Sequence, residues 1–255
     1  MPVLEIKDLN KNFGGLRAVV DFNLSMDQGE LVGLIGPNGA GKTTVFNLIT
    51  QMIPPSSGSV HYRGQGLVGL KPFQVCRRGI ARTFQNIRLF KDVTVLDNVR
   101  VSFSNHLGYN LFGASLHLPA FGRSEAALTE RSREILALLG LADKEYELAG
   151  SLPYGQQRRL EIARALATDP KLLLLDEPAA GMNPAEVTTL VELIRAVKTQ
   201  FGLTVLLIEH QMSLVMNLCE RIVVMDFGQV IAGGTPAEIQ SNPKVLEAYL
   251  GRAVA

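Results

Sequence analysis

A chain of 255 residues with 47% hydrophobic side chains is long enough for one large domain or two small ones, and apolar enough to bury a sizeable core. Its formal net charge of +1, with no long basic block, argues against nucleic acid as the main partner, because phosphate binding by charge needs a clustered footprint. Two cysteines, Cys76 and Cys219, stand at no metal or redox spacing and read as free thiols in a reducing compartment.

No apolar run reaches the roughly 18 residues of a membrane span. The opening Met1-Pro2-Val3-Leu4-Glu5 lacks the charged-then-apolar layout of a secretion signal. A cytosolic protein is expected, with any membrane role exercised through partners.

In chain order, residues 3–7 alternate as a strand does, and 17–26 give a second strand-like run. Asp27-Gln28-Gly29-Glu30 is a turn, followed by the apolar run Leu31-Val32-Gly33-Leu34-Ile35 that a buried strand shows. A helix is expected from Lys42, a loop over 54–59, and a short strand over 80–84. Residues 100–124 carry Gly, Asn, Phe and Leu without a clean period and read as an insertion. Helices are expected over 131–139 and 155–167. A strand over 172–175 precedes a helix over 184–198, with Asn183 as N-cap and Pro184 at its first position. A strand over 203–208 follows, and 222–225 and 230–232 flank the hairpin signal Asp226-Phe227-Gly228. Short apolar strands alternating with helices predict an α/β fold around a mainly parallel sheet covered on both faces.

Gly36-Pro37-Asn38-Gly39-Ala40-Gly41-Lys42-Thr43 matches the phosphate-loop pattern. The glycines let backbone N–H groups turn inward around phosphate oxygens, and the following helix aims its N-terminus at the same charge. Lys42 supplies a mobile cation for the outer phosphates. The Thr43 hydroxyl is placed to ligate Mg²⁺, and Thr44 adds a further phosphate contact. A buried strand before the loop and a helix after it are the context that separates it from a chance glycine-rich turn.

Leu172-Leu173-Leu174-Leu175-Asp176-Glu177 puts two carboxylates at the end of a buried strand, where ligands of open α/β sheets sit. Asp176 is expected in the Mg²⁺ shell. Glu177 points the other way if strand geometry persists, and is then free to take a proton from an attacking water. His210 ends another apolar strand and is a donor to the terminal phosphate. Gln85 follows a short strand and is a ligand for Mg²⁺ or water. Taken singly, a strand-end His or Gln is more often structural.

Together these residues, in this order and with Leu152-Pro153-Tyr154-Gly155-Gln156 between Gln85 and Asp176, resemble the ATP-binding cassette (ABC) family over essentially the whole chain. The resemblance implies a P-loop NTPase with a RecA-like mainly parallel core, an antiparallel β subdomain and a helical insertion at about 86–150, all in one ATPase domain spanning 1–255. It also implies ATP and Mg²⁺ as ligands. Phe13 corresponds to the aromatic that stacks on adenine. Tyr154, Gly155 and Gln156 correspond to the signature that caps ATP bound to a second cassette, so the working unit is two cassettes around two ATP molecules. Catalysis falls to Glu177, His210, Gln85 and Lys42, with the metal at Thr43, Gln85 and Asp176. Pro153 stands where the family usually has Ser, and Asn183 where it usually has Asp, which removes a hydroxyl and a charge from the cross-dimer contacts.

Within the family, residues 154–164, 177–184, Arg82-Thr83-Phe84-Gln85 with Arg88-Leu89-Phe90, and the tail Glu247-Ala248-Tyr249-Leu250-Gly251 look like ATPase subunits of branched-chain amino-acid importers. That likeness implies a second ATPase subunit, two membrane permeases and, indirectly, a periplasmic binding protein. It places the chain peripherally on the cytoplasmic face of the inner membrane. The insertion is expected to meet the permease, with Phe103, Phe112 and Phe121 either on that surface or packing the insertion itself. The rival readings are the motor of a lipid or lipopolysaccharide exporter, a soluble ABC ATPase acting on ribosomes or DNA, and a non-catalytic nucleotide-binding regulator.

Overall fold

The computed structural model describes residues 2–103 and 119–250. Among these, the strands form two sheets. Strands β1 (Leu4–Phe13), β2 (Leu16–Met26), β4 (Ser57–Tyr62) and β5 (Gln65–Gly66) make an antiparallel sheet in the order β2-β1-β4-β5. Strands β3 (Leu31–Ile35), β6 (Ile80–Arg82), β7 (Leu172–Asp176), β8 (Thr204–Ile208), β9 (Arg221–Asp226) and β10 (Gln229–Gly234) make the second, in the order β10-β9-β3-β8-β7-β6. It is parallel except at β10, which returns antiparallel along β9.

The reason for the parallel core lies in β3, β7 and β8, whose residues are all buried. Such strands need cover on both faces. One face presents Leu31, Ile35, Leu173, Leu175, Val205 and Leu207 to helices α3 (Val95–Ser102), α4 (Pro119–Leu138), α5 (Tyr154–Leu166), α6 (Pro184–Phe201) and α7 (Met212–Leu218). The other presents Val32, Leu34, Leu172, Leu174, Leu206 and Ile208 to helix α1 (Lys42–Ile49) and to apolar residues of the antiparallel sheet such as Phe22 and Met26. Full burial of each such side chain contributes about 1.5–3 kcal/mol relative to exposure. The short helices α2 (Pro72–Arg77), α8 (Pro236–Gln240) and α9 (Pro243–Leu250), with the 3₁₀ turns Ala142–Lys144 and Ala149–Ser151, complete the described elements.

The expected elements at 17–26, 31–35, 172–175 and 184–198 are found, and the differences have local causes. Strand β1 runs on from the expected 3–7 to Phe13. Asp8 takes a left-handed φ of 47° and the pairing with β2 shifts register between Ile6 and Leu9, which breaks the alternation but not the strand. The loop expected over 54–59 is partly strand: Ser57 and Ser59 pair with Asn10 and Lys7 of β1, and this tertiary pairing overrides the turn-like Ser-Gly-Ser composition. Helix α6 continues to Phe201 because Gly202, at φ 59°, is the first residue to take the left-handed conformation that ends it. In the expected insertion, residues 100–102 finish α3 and 119–124 open α4, while 104–118 lie outside the described residues. Phe103 is only 2% exposed and belongs to the same apolar cluster as Val99 and Leu136, so it packs the core and is no docking residue. Phe112 and the side chain of Phe121 lie outside the described residues, as does Gly251.

Candidate nucleotide site

The chain leaves β3 at Ile35 and passes through residues 36–41 into α1. Gly36 has φ 148°, and a Cβ there would sit 2.0 Å from the Met225 carbonyl oxygen; at Gly41, φ 102°, it would sit 2.4 Å from that of Ala18. Only glycine allows the loop to press against β9 and β2 in this way. Helix α1 has Gly41 as its N-cap with no side-chain cap, so its first N–H groups remain available to an anion.

Lys42 is 5% exposed, and its Nζ donates to the carbonyls of Gly36 at 2.7 Å and Pro37 at 2.9 Å. Burial pushes its pKa down, against the raising pull of the Glu177 and Asp176 charges. A phosphate arriving at the loop offers this cation a stronger acceptor than two carbonyls do.

A cleft of about 520 Å³ opens over the loop. Phe13, Asn38, Gly39, Ala40, Gly41, Lys42, Thr43, Thr44, Gln85, Glu177 and His210 line it, so it gathers most of the residues expected to hold nucleotide. Gly36 and Pro37 form the root of the loop behind it. Strand β7 ends at Asp176, and Glu177 turns sharply into φ 49°, with its N–H donating to the Ile208 carbonyl at 2.9 Å. Strand geometry thus reaches Asp176, one residue beyond the expected strand, but does not persist to Glu177, and the left-handed kink rather than strand alternation aims Glu177 into the cleft. There its carboxylate is held at both oxygens. Gln85 Nε2 donates to Oε2 at 2.8 Å, and His210 Nε2 lies 2.6 Å from Oε1. A carboxylate so fixed beside a phosphate loop is arranged to accept a proton from water.

Asp176 is buried behind this group, 1% exposed. Its Oδ2 takes a hydrogen bond from Arg82 Nη2 at 2.7 Å, and among the described residues Oδ1 has no partner. Burial raises its pKa, partly offset by Arg82. A buried carboxylate oxygen left without a partner at a strand end beside a threonine-bearing phosphate loop fits a divalent cation, which is what Thr43, Gln85 and Asp176 were expected to hold.

Tyr154, Gly155 and Gln156 do not reach this cleft. They open α5 outside it, with Pro153 at the N-cap supplying no side-chain hydrogen bond, Tyr154 45% exposed and Gly155 buried. Gly155 lines a separate small hollow with Met182 and Glu186.

Four charged residues that sequence reasoning did not single out hold these parts in place. Arg82 joins Asp176 to α1 by donating from Nη1 to Asn47 Oδ1 at 2.7 Å. Buried Glu209 accepts from the N–H groups of Ala179 at 2.7 Å and His210 at 2.9 Å, fixing the chain after Glu177 against His210. Arg158 and Glu161, fully and nearly buried on α5, grip the backbone of Phe84 and Gln85. Both lie in the stretch 154–164 that carries the family likeness, but their local signal is opposite charge three residues apart on a helix, which is more often a solvated pair.

Comparison with known proteins agrees with this geometry. The ABC transporter family matches residues 19–180, and the branched-chain amino acid ATP-binding cassette transporter family matches residues 229–255. The chain is 46% identical to the high-affinity branched-chain amino acid transport ATP-binding protein BraF of Pseudomonas aeruginosa and to LivG of Escherichia coli, over 99% of either chain in each pair. Among solved structures, a nucleotide-free ATP-binding cassette from an ABC transporter superposes with a TM-score of 0.85 at 32% identity, covering 98% of this chain and 100% of that one. The ADP conformation of such a cassette superposes at 0.84 and 31% identity, covering 98% and 99%.

Proposed function

The chain belongs to the ABC transporter family of ATP-binding cassettes, and from that premise we propose that it is the ATP-hydrolysing subunit of an importer that carries branched-chain amino acids across the inner membrane. The observation that carries the reading is Glu177, held by Gln85 and His210 at the mouth of the phosphate loop. The substrate is read from the two relatives named above, each a high-affinity branched-chain amino acid transport ATP-binding protein. The same likeness disfavours a lipid-exporting or ribosome-bound motor.

In the proposed cycle, Phe13 takes the adenine face, and the loop amides with the N-terminus of α1 receive the phosphates. Lys42 leaves the Gly36 and Pro37 carbonyls for the outer phosphates. Glu177 takes the proton of the attacking water, which Gln85 and His210 hold in line. Thr43, Gln85 and Asp176 would hold Mg²⁺, which would supply neutralising charge to the phosphates. Tyr154, Gly155 and Gln156 of a facing cassette close over the terminal phosphate. Two cassettes then sit beneath two permease subunits on the cytoplasmic face, and the periplasmic binding protein acts through the permeases. Among the described residues, no helix is long and apolar enough to cross a membrane.

The insertion, about residues 86–150, is the part that meets the permease in this reading. In support, a groove of about 440 Å³ beside Gln85 is lined by Phe84, Arg88, Phe90 and Val101.

Glu177→Gln keeps the size and hydrogen-bonding capacity of the side chain but loses the base. Nucleotide affinity is expected to hold while turnover falls about 10²–10⁴-fold. Near-normal hydrolysis would overturn the assignment of the base. Purification from native membranes tests the substrate: a branched-chain amino-acid binding protein and two permeases are expected, and a lipid-extracting partner would overturn that part alone.

A further inference from the structure

Arg158 stands on the second turn of α5, fully buried, and its guanidinium faces two directions at once. Toward the Gln85 loop, Nη1 donates to the Phe84 carbonyl at 2.6 Å and Nη2 to the Gln85 carbonyl at 2.8 Å. Toward the start of its own helix, Nη2 donates to the Tyr154 hydroxyl at 3.0 Å. Glu161 closes the frame. One of its oxygens accepts from Arg158 at 2.8 Å, the other from the Phe84 N–H at 3.1 Å. The backbone of Phe84 and Gln85 is thus gripped by α5, and the side chain of Gln85 holds Glu177.

Burying a guanidinium and a carboxylate is costly unless each is paired and well hydrogen-bonded. A core that needed only packing here would be served by apolar residues. What the pair adds is geometry, because a planar fork with two acceptors on one loop leaves that loop little freedom. Tyr154 is the exposed end of the frame. A ligand or partner pressing on it shifts the hydroxyl that shares Nη2 with the Gln85 carbonyl.

We propose that Arg158 is a positioning residue that sets Gln85, and through Gln85 the base Glu177, and that the Tyr154 hydroxyl makes this setting depend on what occupies the first turn of α5. The inference rests on the reading of Glu177 as the base and of the α5 N-terminus as the face turned to a second nucleotide. It makes hydrolysis in one cassette responsive, through side chains of that same cassette, to nucleotide held by its neighbour.

The test is a pair of double-mutant cycles in the purified full-length chain, reading ATP turnover and the affinity for a fluorescent ATP analogue. Tyr154→Phe deletes one oxygen, and Arg158→Lys keeps the charge but loses the fork. Both are expected to lower kcat by about tenfold or more, since small misplacement of a catalytic group is costly, and Arg158→Lys, which lies outside the nucleotide contacts, is expected to leave affinity within about twofold. Combined with Gln85→Ala, neither is expected to lower kcat beyond Gln85→Ala alone, because residues on one path are not additive. A merely structural role predicts additive losses, or affinity falling in step with turnover in Arg158→Lys, and either result overturns the proposal. Should Arg158→Lys fail to fold, the Tyr154→Phe cycle decides by itself. A wild-type chain that neither binds nor hydrolyses ATP would overturn the underlying functional reading instead.

Discussion

Burial decides the chemistry of single residues in this protein as much as their identity does. Lys42 and Asp176 are both held away from water, the first against carbonyls of its own loop and the second against Arg82, and in both burial disfavours the charged form. Each therefore gains when an oppositely charged ligand arrives, which is how a site stores affinity for a nucleotide with its metal. Cys219 is the inert counterpart. It packs under β3 so closely that a Cβ on Gly33 would lie 2.9 Å from its Sγ, and burial pushes its pKa up to about 12 from an ordinary value of 9.0. The neutral thiol is favoured in the folded state, so its contribution to stability is complete below pH 9.0 and is lost as pH rises toward 12. Stability measured across that window is expected to fall less steeply in Cys219→Ala than in the wild type. At pH 8, alkylation of Cys219 is expected only after unfolding, and rapid labelling of the native chain would contradict this placement.

Among the elements, α6 shows what a cap does. The Asn183 side chain accepts from the Glu186 N–H at 3.0 Å, Glu186 returns the bond to the Asn183 N–H at 2.9 Å, and Pro184 presets the first turn. Asn therefore fills, as a cap, the position where the family usually has Asp. Asn183→Ala is expected to cost about 1 kcal/mol, a fall of roughly 2–4 °C in Tm for a chain of this size, with nucleotide affinity unchanged. Calorimetry with and without nucleotide separates the two effects. A collapse of affinity would mean that the cap serves the cleft and not the helix. The start of α5 contrasts with this: Pro153 offers no side-chain cap, and Gln156 and Gln157 N–H groups instead donate to its carbonyl at 2.9 and 3.0 Å. Part of that helix start remains open to an outside acceptor.

For the whole molecule, the two sheets and α1 converge on one loop. Gly36 touches β9, Gly41 touches β2, and Gly228 in the β9–β10 turn donates its N–H to the Ala40 carbonyl at 3.1 Å. A ligand bound at that loop is linked to the unfolding of the entire core. At a hundred times its Kd, ATP is expected to stabilise the fold by about 2.7 kcal/mol. Thermal denaturation with graded ATP measures this, and Lys42→Ala is expected to shrink the shift at equal ATP. A wild-type melting temperature indifferent to ATP would argue against the cleft as the nucleotide site.

The phosphate loop, the acidic strand end and the apolar strands were legible in the sequence because each is set by local chemistry. Glycines must lie where no Cβ fits, and a strand buried on both faces must be apolar throughout. Residues 36–44, Asp176, Glu177 and the core strands β3, β7 and β8 all belong to this class. Other features depended on residues far apart in the chain. The strand at Ser57 and the burial of Phe103 arise from pairing or packing with distant partners, which periodicity within a short window does not register, while β1 reaches Phe13 by hairpin pairing with β2 across a register shift that breaks the alternation. The same holds for the Arg158–Glu161 frame and for Arg82. A charged side chain reads as a surface residue until the fold encloses it with a partner, and only the tertiary structure decides that enclosure.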